Sequence, residues 1–365
     1  MNTRLVKIQE WLKSNHAAFT FISDPTNVFY LTNFKCDPHE RFLGLFVFPD
    51  NAPFLVCPEL EVIRASESGF EYDIIGYQDH EDPWIFVKKQ LEDKRKTSET
   101  VAIETSTLPY QKALKLKEYH GSCTFISIEP IINTLRNRKD ARELEALKKA
   151  GEMADYAVKV GINAIKKGRT EQAIVAEIEY ELTKRGYSEM SFDTMVLTGE
   201  KTALPHGIPG TRQIKEGDFV LFDLGVIVDG YCSDITRTVA YKHASDAQID
   251  IYNTVLKAEK AAIEACNIDF RIGDLDKIAR QIISDKGYGD YFTHRLGHGL
   301  GLGAHEAPSM SMNNDNKLTK GMVFTIEPGI YIPNIGGVRI EDDIYISEDG
   351  PLSLTSFPKE FIIVP

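Results

Sequence analysis

FVLFDLGVIVDGYCSDITRTVA, residues 219–240, sets two β-type runs on either side of Asp229-Gly230. An Asp-Gly pair in that position predicts a two-residue hairpin loop, because both loop residues need positive φ. With this loop Val228 faces Tyr231, Gly225 faces Asp234 and Asp223 faces Thr236. Asp223 and Asp234 then share one face as diagonal neighbours, roughly 6–8 Å apart at the backbone. Gly225, opposite Asp234, leaves space there. Asp229 is a turn residue, whereas Asp223 lies inside a strongly apolar strand. An unpaired carboxylate there would cost on the order of several kcal/mol, so it needs a cation. Two carboxylates at that separation can reach inward and share a small cation cluster.

VFTIEPGIYIPNIGGVRIEDDIYI, residues 323–346, repeats the logic. A loop centred on Asn334 places Glu327 opposite Glu341 with side chains facing alike. Alternation puts Arg339 on the Glu341 face, and Val338 and Ile340 on the other. Pro328 interrupts the ladder and the loop is longer, so this register is less constrained.

Between the hairpins runs THRLGHGLGLGAHEAP, residues 293–308, with His294, His298 and His305; His206 lies upstream in LPHG. His294 and His298 are four apart, but glycines at 297, 299, 301 and 303 make a helix implausible, and no H-E-x-x-H occurs. The stretch does not follow a good strand and open a helix, so a dinucleotide loop is a poor reading. A better one is a chain passing close to a ligand cluster, with glycine giving clearance and imidazole one nitrogen donor. His243 reads as exposed or hydrogen-bonded within the core. His16, His39, His80 and His120 are scattered and read as surface or structural.

The fold class is α/β (α+β) in two domains. Residues 1–132 alternate strands (Phe19–Ile22, Phe46–Phe48, Phe54–Val56, Val101–Ile103) with helices (Asp82–Leu91, Tyr110–Tyr119). Residues 133–365 begin with a helix started by Asp140 and Glu143 at capping-box spacing, striped by Leu144, Leu147, Ala150 and Met153. Further helices span Thr170 to before Gly186, Asp246–Cys266 and Asp274–Lys286. The length of 365 residues suffices for two cores. The net charge of −12, from 42 basic and 54 acidic residues, argues against a nucleic-acid partner. Five scattered cysteines without a C-x-x-C pair favour a reducing compartment. No apolar run is long enough to cross a membrane, and the N-terminal stretch, with Leu5, Ile8, Trp11 and Leu12 at helical spacing, is not a secretion signal. The expected location is cytoplasmic.

Asp223, Asp234, His298, Glu327 and Glu341, in this order and spacing, together with FDLG, YCSDITRT, HRLGHGLG, HEAP, TIEPG and GVRIEDD, resemble the pita-bread metallopeptidase family. The resemblance is to its prolidase and aminopeptidase P type, nearest the bacterial Xaa-Pro dipeptidases, and covers the whole chain. It implies a creatinase/prolidase-like N-terminal domain, concerned with oligomerisation or substrate access. It further implies a C-terminal pita-bread domain with a curved antiparallel sheet flanked by helices. Two divalent ions are implied, Mn²⁺ foremost, with Co²⁺ or Zn²⁺ as alternatives. Asp223 would chelate one, His298 and Glu327 the other, and Asp234 and Glu341 both. His206, His305 and Glu327 would be catalytic; His206, His294, His305 and Arg339 would surround the substrate, Arg339 orienting a ligand carboxylate.

The implied reaction is hydrolysis before proline in short proline-containing peptides, by a homodimer. DPHER, residues 37–41, and HRLGHG, residues 294–299, look more like dipeptidases, which must recognise a free carboxylate; Arg41 and Arg295 are the candidates. Two alternatives are an Xaa-Pro aminopeptidase acting on longer peptides, and a silent binding protein of the same fold. All five ligand positions are kept, which disfavours the latter.

Overall fold

The computed structural model describes residues 2–94, 98–121 and 123–365. The chain forms two compact units, Met1–Arg136 and Asn137–Pro365.

In the first unit, β1 (Phe19–Ile22), β2 (Gly44–Val47), β3 (Phe54–Pro58), β4 (Asp73–Tyr77), β5 (Thr100–Ile103) and β6 (Thr124–Ser127) form one sheet. Its order is β4-β3-β2-β1-β5-β6. Strand β2 is antiparallel to β1 and β3, and the other pairings are parallel. Phe19, Phe21, Phe46 and Phe54 pack in its core. The helix Pro83–Asp93 starts one residue after Asp82, whose side chain caps it by accepting Trp84 N–H. Helix Glu129–Arg136 buries Ile132 and Leu135, so a boundary at 132 would cut a continuous element. His16, His39 and His80 are exposed. His120 is half-buried, with its ring edge-on to Phe19 and Nε2 3.0 Å from the Ser98 carbonyl.

In the second unit, β7 (Met195–Thr198), β8 (Phe219–Leu224), β9 (Ile227–Val228), β10 (Tyr231–Cys232) and β11 (Ile235–Tyr241) carry the first hairpin. Asp229 and Gly230 both have positive φ, 51° and 86°. Val228 pairs with Tyr231 and Asp223 with Thr236, the register that a two-residue loop dictates. The room at Gly225 is not left for Asp234, however. A Cβ there would lie 1.8 Å from the Ser233 carbonyl oxygen, so the glycine admits the partner strand's backbone.

Strands β12 (Gly297–Gly299), β13 (Glu306–Met310), β14 (Val323–Ile326), β15 (Gly329–Ile332), β16 (Gly336–Arg339), β17 (Asp342–Ser347) and β18 (Gly350–Ser353) follow. Ile326 pairs with Asp342 and Gly329 with Arg339, so one register, centred on Asn334, runs through the interruption at Pro328. Glu327 therefore lies opposite Glu341. The clearance at Gly297 and Gly299 also differs from expectation. Added Cβ atoms would meet the Thr325 and Ala307 carbonyl oxygens at 2.1 and 2.0 Å, so these glycines let three strands pack rather than admit a ligand.

Alternation separates the two faces of each hairpin. Val220, Phe222 and Leu224 point into a core shared with helices Ala141–Asn163 and Glu171–Lys184. Phe324, Ile326, Ile330, Val338, Ile340, Ile344 and Ile346 point into one shared with helices Asp246–Glu264 and Ile272–Asp285. The intervening residues carry the acids. Asp140 and Glu143 form the expected capping box. The last of these helices begins two residues before Asp274, because the carbonyls of Asn316 and Asn314 accept the Ile272 and Gly273 N–H groups and no side-chain cap is needed.

The hairpins meet where Glu341 N–H donates to Thr236 O at 3.1 Å. Arg237, 1% exposed, fastens that junction, giving hydrogen bonds to the carbonyls of Thr236, Glu341 and Phe357 and to Asp342 Oδ1. Lys359 binds both Asp342 and Glu259, and β19 (Ile363–Val364) joins β11 in parallel, a departure from the otherwise antiparallel second unit. Among the described residues, no helix is long and apolar enough to cross a membrane.

Gly225→Ala should lower stability by about 1–3 kcal/mol, as backbone overpacking does. Urea unfolding should show a reduced midpoint with unchanged slope; an unchanged midpoint would contradict the close approach.

Candidate active site

A cavity of about 510 Å³ in the second unit is lined by Asp223, Asp234, His298, Glu327 and Glu341, together with His206, His294, His305 and Arg339. The five ligand candidates, the three histidines and Arg339 singled out from the sequence therefore line one space. Within it, ligand atoms of Asp234, His298 and Glu341 lie within 4.8 Å of one another. Glu327 Oε1 is 3.3 Å from His298 Nε2, while Asp223 stands beside this cluster with its Oδ2 on Arg339 Nη2.

Each group is fixed from behind. Asp234 donates its backbone N–H to Asp343 Oδ2 at 2.9 Å. Glu327 gives its own N–H to Leu296 O and accepts from Thr325 Oγ1 at 3.1 Å. Glu341 Oε2 accepts from Thr236 Oγ1 at 2.5 Å. Arg339, 4% exposed, also donates to Thr236 Oγ1 and to Tyr331 Oη, so it acts on the cavity through Asp223. The Tyr331 hydroxyl lies 2.9 Å from His294 Nε2, and His294 Nδ1 lies 2.8 Å from Arg295 O. That carbonyl only accepts, which puts the imidazole proton on Nδ1 and lets Tyr331 donate to Nε2.

Burial, then the charges of Glu341 and Asp223, push Asp234 well above the carboxylate range. Burial followed by Glu327 does the same to Glu341. Burial lifts Glu327 to about 7 although Arg339 opposes it. Burial lowers His298 to about 3 and His294 to about 4, so both rings are neutral at pH 7. Burial also lowers His305, whose ring centroid is 4.1 Å from that of His298.

These groups fit a divalent cation. His298 Nδ1 sits 3.2 Å from the Gly299 carbonyl, which assigns the ring proton to that side. The Nε2 lone pair then faces Glu327 Oε1 and, at 3.7 Å, Asp234 Oδ2. Asp234 Oδ1 is buried with no hydrogen-bond partner. Acceptors converging without a donor repel unless protons or a cation lie among them.

Sequence reasoning missed Tyr331 and Asp343. Tyr331 was open to discovery, since it shares its odd-numbered face with Glu327, Arg339 and Glu341. Asp343 has the same parity, but its role could not be read from it, because that role depends on contact with Asp234, 109 residues away. Of the two arginines considered, Arg295 lines the cavity. Arg41, in the first unit, makes a two-pronged contact with Asp79 at 2.8 and 3.0 Å.

Two known families match the chain. The creatinase/prolidase N-terminal domain matches residues 4–138, and metallopeptidase family M24 matches residues 145–348. YkvY of Bacillus subtilis (strain 168), provisionally named a dipeptidase, is 53% identical over 361 residues, covering 99% of each chain. The prolidase from Pyrococcus horikoshii OT3 superposes with a TM-score of 0.91 at 36% identity, covering 99% of this chain and 100% of that one. An Xaa-Pro dipeptidase from Bacillus anthracis gives 0.92 at 33% identity, covering 99% of each. The chain belongs to metallopeptidase family M24, with a creatinase/prolidase N-terminal domain ahead of the peptidase unit.

Proposed function

We propose that the chain is an Xaa-Pro dipeptidase that works with two divalent ions held by Asp223, Asp234, His298, Glu327 and Glu341. The observation that carries this reading is the convergence of buried acceptors around His298 Nε2 and Asp234. His298 and Glu327 would hold one ion, Asp223 the other, and Asp234 and Glu341 both. Four carboxylates and one imidazole suit Mn²⁺ or Co²⁺, with Zn²⁺ a further candidate. Such ions, when bound, supply Lewis-acid polarisation of a carbonyl and acidify water.

The protein's own groups supply the rest. Glu327, whose Oε1 lies 3.3 Å from His298 Nε2 at the centre of the site, can take up a proton and pass it on. His305, exposed beside His298, can donate to the oxyanion that develops on the scissile carbonyl. A peptide bond before proline has no N–H, so its nitrogen needs a proton to leave; His206, exposed in the cavity wall, can deliver it. The link from His294 through Tyr331 to Arg339 holds Asp223 in place. Arg295 lines the same cavity and suits a free proline carboxylate. Similarity to proteins named prolidase and Xaa-Pro dipeptidase favours dipeptides over longer substrates. We further infer a homodimer in a reducing, cytoplasmic setting, in keeping with five scattered cysteines that form no C-x-x-C pair.

With Mn²⁺ added, kcat/KM for an Xaa-Pro dipeptide should exceed that for an Xaa-Pro-Xaa tripeptide by about tenfold or more, the factor one lost charge-assisted contact gives. The opposite preference would make the chain an aminopeptidase of longer peptides. Asp234→Ala or Glu341→Ala should abolish metal-dependent turnover and lower bound metal in elemental analysis, whereas wild-type turnover would refute the assignment. The raised value of Glu327, about 7 against an ordinary 4.5, also has a sign. In metal-free protein its contribution to stability is full below about 4.5 and is lost as pH rises through about 7. A divalent ion opposes that loss, so the rise in Tm on adding Mn²⁺ should be larger at about pH 8 than at about pH 5.5. An equal rise at both would show that these carboxylates do not bind the ion.

A further inference from the structure

Besides the groups assigned above, the cavity wall carries a carboxylate that the proposed reaction leaves unused, Asp193. It is exposed, and among the described residues its side chain has neither a hydrogen-bond nor an ion-pair partner. The cavity's other carboxylates are committed. Asp223 is bound to Arg339, and Asp234, Glu327 and Glu341 crowd around His298.

Arg295 is its counterpart in charge. Arg212, Arg237, Arg271, Arg280 and Arg339 each bind a carboxylate in this unit. Arg295 instead is exposed and gives Nη1 to Ser309 Oγ at 3.2 Å. Asp193 and Arg295 line one cavity without forming an ion pair with each other. They come from segments that precede different strands of the site. Asp193 lies two residues before Met195, whose strand partner is Asp223, whereas Arg295 lies three residues before His298.

We propose that Asp193 binds the free α-ammonium of the substrate's first residue, so that Asp193 and Arg295 together select a zwitterion two residues long. This rests on the dipeptidase reading and adds to it a specificity-determining residue. A dipeptide carries a cation at one end and an anion at the other, and each is costly to bring into a cavity without an opposite charge. Asp193 provides an acceptor-only partner for three ammonium N–H donors. Being exposed, it can be changed without disturbing the fold.

The test compares wild type, Asp193→Asn and Asp193→Glu, all loaded with Mn²⁺, on an Xaa-Pro dipeptide and its N-acetyl form. Wild type should favour the free amine through KM. Asp193→Asn should raise KM for the free dipeptide about tenfold, the scale of a charge-assisted contact, with little change in kcat. It should leave the N-acetyl form unaffected, and Asp193→Glu should restore most of the preference. Calorimetric binding of an analogue with a methylene replacing the scissile carbonyl should weaken by a similar factor in Asp193→Asn, independently of turnover. An Asn variant that keeps the wild-type preference for the free amine would overturn the proposal. If wild type cleaves Xaa-Pro-Xaa tripeptides instead of dipeptides, the dipeptidase reading falls. The same free-amine against N-acetyl comparison, made on the tripeptide, then still decides Asp193.

Discussion

Negative charge is concentrated where water is scarce, and the second unit is organised around that fact. Asp234 and Glu341 are 4% and 2% exposed, and Asp223 and Glu327 share their cavity. Arg339 is the buried cation among them, and of the four carboxylates it binds Asp223. One guanidinium cannot neutralise four carboxylates, so protons or metal ions must make up the difference. Family membership points to metal ions, and the orientation of His298 prepares a nitrogen lone pair for one of them.

Holding such a cluster requires rigid backing, which the two hairpins supply in the same way. One face of each is apolar and lies on a helix pair; the other presents acids. Where the hairpins join, Arg237 has its Nε and both terminal nitrogens engaged, so a charge that would be costly to bury is fully hydrogen-bonded. Asp343 adds a second brace. Burial keeps its own carboxyl well above the ordinary range, yet Oδ2 still accepts the Asp234 N–H.

Local chemistry made much of this legible in the sequence. Asp229-Gly230 set one register, and Asn334 set the other through Pro328, because strand alternation and turn geometry act over a few residues. The domain order and four helices of the second unit followed from period and caps. The remainder depended on contacts between distant segments. The reason for glycine at 225, 297 and 299 is a neighbouring carbonyl oxygen, visible only once the strands are packed. Arg41 could not be told from Arg295 by composition, since its partner Asp79 lies 38 residues away. The parallel strand Ile363–Val364 lacked a turn signal to announce it, because a parallel neighbour is not joined by a tight turn.

The junction between Thr236 and Glu341 joins residues 105 apart, and Arg237 reaches 120 residues ahead to Phe357. On a ribosome, the first hairpin and its helices emerge long before the segments that complete the cluster. A nascent chain therefore carries Asp223 and Asp234 without their counterparts and cannot yet capture ions tightly. Pairings of such long sequence separation also form slowly, since loop closure must precede any gain from contact. The site is thus complete only once the final strands of the peptidase unit are in place.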